Sequence, residues 1–168
     1  AIRIAGTTLM GLLGDVLDLS QIEAGGSIME EKPCDVAALA ADLVEMLRPD
    51  AARKGLAIAL DIQAELPPRL VLSPDRLRQV LVNLLGNAIK FTQTGGVTLE
   101  VGREEDPASG PLLRLAVRDT GIGIPDDKRE VIFERFTQID AGAGRKYGGV
   151  GLGLAICKKL VDLMGGRL

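Results

Sequence analysis

The first apolar positions of the chain recur on a heptad: Ile2, Ala5, Leu9, Leu12, Val16 and Leu19 fall at alternating steps of three and four. That seam, flanked by Met10, Leu13 and Leu17, predicts one helix over residues 2–23 with more apolar surface than it can bury alone. Such a helix implies a bundle or a dimer; the plainer alternative is an amphipathic helix packed on its own domain. Gly25-Gly26 ends it. Residues 28–33 read as a short strand. A helix over 36–53 places Leu39, Leu43, Val44 and Leu47 on one face. LAIALDI (56–62) is strand-like, and Pro67-Pro68 breaks the chain before a short strand, LVL (70–72). Ser73-Pro74 marks a helix start, with Ser as cap and Pro at the first helical position, and the helix runs to about Thr92. Its core stripe is Leu77, Val80, Leu81, Leu84, Leu85 and Ala88. Gly95-Gly96 turns the chain into VTLEVG (97–102), and REEDPASGP (103–111) reads as a polar hairpin loop before the returning strand LLRLAVRD (112–119). The glycine-rich, charged stretch 120–149 contains a helical piece, DDKREVIFERF (126–136). A final helix spans about 152–164, and Arg167-Leu168 look like the start of a further strand. Helices and strands mix without strict βαβ alternation, so the expected class is α+β.

Composition narrows the chemistry. Apolar residues make up 46% of the 168 positions but aromatics only 2%, so the core must be built from Leu, Val, Ile and Ala. The net charge of −3 argues against a duplex-wrapping nucleic-acid binder. With no histidine, and with Cys34 and Cys157 in no metal spacing, a zinc site is excluded in practice. No apolar run reaches the ~20 residues of a membrane span, and there is no signal peptide, so a cytoplasmic location without membrane contact is expected. The chain begins at Ala1 rather than Met and reads as a piece of something longer.

Three segments carry polar patterns that a core does not require. Asn83, Asn87 and Lys90 stand at i, i+4 and i+7 on the 74–92 helix, so they project together beside the leucine stripe. Amide oxygens suit a hard cation, and an ammonium one turn away suits a phosphate; the bland alternative is a polar edge facing water. DTGIGIP (119–125) follows a strand directly. Asp119 there can accept from an exocyclic amine such as that of adenine, with Gly121 and Gly123 admitting a ligand close to the backbone; the alternative is an Asx-type turn. YGGVGLGLAI (147–156) opens straight into a helix and sets backbone N–H groups where an anion can sit, though a flexible loop reads as well. It is neither a dinucleotide fingerprint nor a Walker loop.

NLLGNAIKFT, DTGIGIP, IFERFTQID and RKYGGVGLGLAI, in this order, closely resemble the N, G1, F and G2 boxes of sensor histidine kinases. Upstream, GDVLDLSQIEAGG (14–26) resembles the end of the second helix of that family's dimerisation and phosphotransfer hairpin. The resemblance implies a division into 1–26, part of that hairpin, and 27–168, a catalytic ATP-binding domain. The implied fold is the Bergerat ATP-binding sandwich, a mixed sheet with three helices on one face. It implies ATP and Mg²⁺ as ligands. Asn87 would be the metal ligand with Asn83 beside it, Lys90 would touch phosphate, and Asp119 would bind the adenine amine beside Gly121 and Gly123. Phe133 and Phe136 would anchor a lid, Arg145 or Lys146 would reach the γ-phosphate, and Gly149, Gly151, Leu152 and Gly153 would form the phosphate-side loop. Implied partners are an upstream helix carrying the acceptor histidine, a response regulator or receiver domain, and a second copy in a homodimeric parent, itself a membrane sensor; nucleic acid is not among them. ATP-hydrolysing relatives carry a Glu four residues before the metal Asn; here that position is Asn83, a poor base, which favours phosphoryl transfer over hydrolysis. A non-catalytic nucleotide-binding or dimerisation module and an ATPase of the same fold are the alternatives. The acceptor histidine is absent, so self-phosphorylation is not expected, and the closing strands of the family are expected beyond Leu168.

Overall fold

The computed structural model describes Gly14, Ser20 and residues 29–63, 66–108, 110–137 and 151–168. They belong to two compact units, one spanning Glu30–Gly123 and the other drawn from Ala1–Met29 and Ile124–Leu168. The heptad seam and the boundary expected at 26/27 lie outside the described residues, apart from Gly14 and Ser20, which are helical and exposed.

In the Glu30–Gly123 unit, β1 (Lys32–Cys34) precedes α1 (Val36–Arg53), β2 (Ala57–Ile62), β3 (Leu70–Leu72), α2 (Pro74–Phe91), β4 (Gly96–Asp106) and β5 (Gly110–Asp119). β1 and β3 form a small antiparallel pair. The main sheet has the order β2-β4-β5, with β2 parallel and β5 antiparallel to β4, a mixed sheet as expected. Alternation decides the faces: Val97, Leu99 and Val101 of β4 are buried, and Asp119, Val117 and Leu115 lie opposite them on β5. That face joins Leu39, Leu43, Val44 and Leu47 of α1 and Leu77, Leu81, Leu85, Ala88 and Ile89 of α2 in one core.

The helix ends follow local chemistry. Asp35 caps α1, its carboxylate accepting from the Ala38 N–H at 2.9 Å. α1 closes where the Lys54 N–H reaches the Ala51 and Ala52 carbonyls and Gly55 takes φ +68°. Ser73 occupies the cap position of α2, but its side chain makes no capping bond, so Pro74 and the extended backbone of Ser73 set this start. At the other end of α2, the Lys54 ammonium donates to the carbonyls of Ile89 (2.6 Å), Lys90 (2.9 Å) and Thr92 (2.8 Å).

Several expectations are corrected. The first strand lies at Lys32–Cys34 rather than 28–33, because its partner β3 ends at Leu72 opposite Lys32. Leu84 is half-buried, and Ile89 takes its place in the core of α2. The polar segment 103–111 is mostly strand: Arg103, Glu104, Glu105 and Asp106 pair with Leu113, Leu112, Pro111 and Gly110, leaving a tight turn. Exposed hairpin arms need backbone pairing rather than apolar side chains, so composition misread them.

In the other unit, the piece expected as helical at 126–136 forms two 3₁₀ turns, Asp126–Lys128 and Val131–Phe133. An i, i+3 pattern serves a 3₁₀ turn as well as an α-helix. α3 spans Gly153–Leu163 and buries Ala155, Ile156, Cys157 and Leu160. Arg167 and Leu168 are not in a strand.

Candidate functional site

Asn83 and Asn87 lie one turn apart on α2, both half-buried. Their side-chain amides take no hydrogen bond among the described residues, so their oxygens keep lone pairs to offer. Lys90 follows on the same flank. Its ammonium lies 4.8 Å from the centroid of the Phe91 ring, and burial pushes its pKa below the usual 10.5. Among the described residues no three His, Cys, Asp or Glu side chains converge on a metal position. An ion at α2 would therefore depend on neutral amides and on oxygens of its ligand. Those donors fit Mg²⁺, which keeps several waters and binds phosphate oxygens readily.

The end of β5 meets the end of α2. Asp119, at the last position of β5, accepts from the Gly121 N–H at 2.8 Å through Oδ1. The expected Asx-type turn is therefore present, and Oδ2 takes no hydrogen bond among the described residues. A Cβ on Gly121 would sit 2.7 Å from Asp119 Oδ1 and 2.8 Å from the Phe91 carbonyl oxygen. Glycine is thus what allows the turn to abut the last carbonyl of α2. Gly123 takes φ +69° with open space around it, a conformation that favours glycine. Ile122 and Ile124 are exposed beside it. The turn is anchored further by Thr120, whose hydroxyl accepts from the Gly96 N–H (3.1 Å) and donates to the Thr94 carbonyl (2.9 Å).

Asn83, Asn87, Lys90, Asp119, Gly121 and Gly123 thus all belong to the Glu30–Gly123 unit, on α2 and the turn that its end supports. Phe133, Gly151, Leu152 and Gly153 belong to the other. Phe133 is half-buried in the second 3₁₀ turn, with the Lys158 ammonium of α3 5.7 Å from its ring centroid. Gly151, at φ +73°, accepts from the Phe136 N–H at 3.0 Å, and a Cβ there would meet the Thr137 carbonyl oxygen at 2.6 Å. Phe136 itself holds φ +61°, an uncommon conformation for an aromatic residue. α3 begins at Gly153 without a side-chain cap at Leu152, so its first N–H groups are not spent on one. Arg145, Lys146 and Gly149 lie outside the described residues.

Sequence reasoning missed two residues here. Thr92 is fully buried, and its hydroxyl finds no hydrogen-bond partner among the described residues. Lys54, almost forty positions upstream, ties down the end of α2. A lysine before a glycine at a helix end carries no local signal of such a contact.

Residues 72–168 match the family described as histidine kinase-, DNA gyrase B-, and HSP90-like ATPase. The chain is 38% identical over 167 residues to the signal transduction histidine-protein kinase BarA of Escherichia coli K12, covering 99% of this chain and 18% of BarA. It is 42% identical over 170 residues to the circadian input-output histidine kinase CikA of Synechococcus elongatus, covering 22% of that protein. The chain therefore spans about a fifth of the length of these curated relatives. Among solved structures, full-length ShkA in complex with AMPPNP superposes with a TM-score of 0.84 at 37% identity, over 98% of this chain and 33% of ShkA. The Acinetobacter baumannii histidine kinase AdeS shares the fold, with a TM-score of 0.69 at 22% identity over 93% of this chain and 68% of that one.

Proposed function

The chain belongs to the family of histidine kinase-, DNA gyrase B- and HSP90-like ATPases, and from that premise we propose that it binds Mg·ATP and presents the γ-phosphate to a histidine on another helix. The observation that carries this reading is the pair of unengaged amides, Asn83 and Asn87, on the helix whose last carbonyl supports the Asp119–Gly121 turn. Asp119 keeps one carboxylate oxygen for the adenine amine while the other fixes the turn. Asn87, with Asn83 beside it, would hold Mg²⁺ through amide oxygens, and the ion would neutralise phosphate charge. Lys90, partly stripped of water, gains more from a phosphate oxygen than an exposed lysine does. By the resemblance, Gly151, Leu152 and Gly153 would offer backbone N–H groups at the start of α3 to the phosphates, and Arg145, Lys146 and Gly149 would contribute to the same contact.

Transfer, rather than hydrolysis, follows from Asn83. An amide does not draw a proton from water at neutral pH, whereas phosphoryl transfer to a placed acceptor needs mainly positioning and charge neutralisation. The acceptor histidine and a response regulator or receiver domain belong to the partners, residues 1–26 belong to the dimerisation hairpin of a parent kinase, and the reaction takes place in the cytoplasm.

Calorimetry with a non-hydrolysable ATP analogue and Mg²⁺ tests the binding. Wild type should bind, and Asn87→Ala and Asp119→Ala should each weaken binding at least tenfold, about 1.4 kcal/mol or more. Labelled phosphate should then pass from ATP to a separate hairpin fragment carrying the histidine, with none on this histidine-free chain. Steady ATP turnover without acceptor would replace the kinase reading with the ATPase one.

A further inference from the structure

We propose that Lys54 is a positioning residue for the nucleotide site, acting through the C-terminal end of α2; the inference rests on the nucleotide-binding reading above. A helix leaves its last four carbonyls without intrahelical partners. At α2 three of the four accept hydrogen bonds and the fourth abuts the turn. Ala88 accepts from the Thr92 N–H at 3.0 Å. Ile89 and Lys90 accept from the Lys54 ammonium, which also reaches the carbonyl of Thr92, just past the helix. The Phe91 carbonyl faces Gly121, in the turn that Asp119 closes. Three N–H donors thus meet three carbonyls that flank the one abutting the turn.

The arrangement is chemically apt. An ammonium is a compact cation with three tetrahedral donors, and the carbonyl end of a helix is its negative pole. Lys54 itself is held by the end of α1, where its own N–H reaches Ala51 and Ala52 and Gly55 turns the chain away. The link runs from α1, through one side chain, to the last turn of α2, and from there by direct packing to the turn carrying Asp119. Without the ammonium, the last turn of α2 must seek water for its carbonyls and fray. Lys90 lies on that turn, and the Phe91 carbonyl then no longer fixes Gly121. Asp119 and Lys90, two of the groups assigned to the nucleotide, lose their spacing together.

The test compares Lys54→Met, which keeps length and removes the donors, with Leu43→Ala, a cavity in the core far along α1. Affinity for the Mg²⁺ complex of the non-hydrolysable analogue is measured well below the unfolding temperature of each, and the amide resonance of Gly121 is followed by NMR. Lys54→Met should weaken binding about three- to thirtyfold and shift the Gly121 amide in the nucleotide-free chain. Leu43→Ala should lower the unfolding temperature without either effect. Unchanged affinity in Lys54→Met, or equal weakening in both variants, overturns the proposal. Should Lys54→Met not fold, Lys54→Arg takes its place, because a planar fork cannot address all three carbonyls. Wild-type affinity with an unshifted Gly121 amide in Lys54→Arg overturns the proposal equally. If wild type binds no nucleotide, the reading of the previous subsection fails, and the Gly121 shift alone decides whether Lys54 sets the turn.

Discussion

Gly121 has no room for a methyl group. The nearest obstacle, Asp119 Oδ1, can rotate away, but the Phe91 carbonyl is backbone at the end of a packed helix. Gly121→Ala should therefore part the turn from α2, costing about 1–3 kcal/mol in urea unfolding and loosening the nucleotide. An unaltered denaturation midpoint would contradict this. Lys90 gives a pH signature. Burial places its folded pKa below 10.5, so between the two values the unfolded chain binds the proton more tightly and unfolding takes protons up. Stability of the empty protein should thus rise with pH across that window; below it, the cost of burying the charge is fully present. Mg·ATP affinity should move the opposite way, falling as pH climbs through the folded pKa of Lys90. Both trends should vanish in Lys90→Met, as read by thermal shift and calorimetry at stepped pH. The spacing of Asn83, Asn87 and Lys90 was legible because a helix converts i, i+4 and i+7 into one face. The partner of Gly121 was not, because it is a backbone oxygen thirty positions away.

At the scale of elements, helices were read almost to the residue where the chain punctuates itself. Ser73-Pro74 imposes a local conformation that needs no tertiary help, whereas α1 was placed by its apolar face, and its Asp35 cap and the turn at Gly55 emerge only in the structure. Strands were read where apolar residues alternate and missed where they do not. Residues 103–106 are charged, yet they extend β4 because β5 lies opposite in register. Outside the core face, Glu100 sits between Arg118, the stronger partner, and Arg114, which hold its carboxyl below the usual 4.5. The end of α2 holds an element-scale anomaly, the Thr92 hydroxyl. It is sealed from solvent with no partner among the described residues, and such an orphan costs about 1–3 kcal/mol. Thr92→Val, close in shape, should therefore stabilise the nucleotide-free protein by about 1 kcal/mol in chemical denaturation. A loss of similar size would show that the hydroxyl has a partner, such as a buried water.

At the scale of the whole molecule, the order of pairing along the chain has a kinetic consequence. β4 and β5 are joined by a turn of a few residues, so their ladder closes a short loop. β2 pairs in parallel with β4 only after β3 and all of α2 have been traversed, from Ala57 opposite Gly96 to Ile62 opposite Val101. Hairpins zip in microseconds, whereas the loop entropy of distant partners must be met before their contacts reward it. In pulse-labelled refolding, amides of 97–101 bonded to β5 should be shielded from deuterium first, and those of 57–62 later. The half of the proposed nucleotide site borne by the Asp119 turn would then be born with the hairpin, and would wait for α2 to arrive beside it.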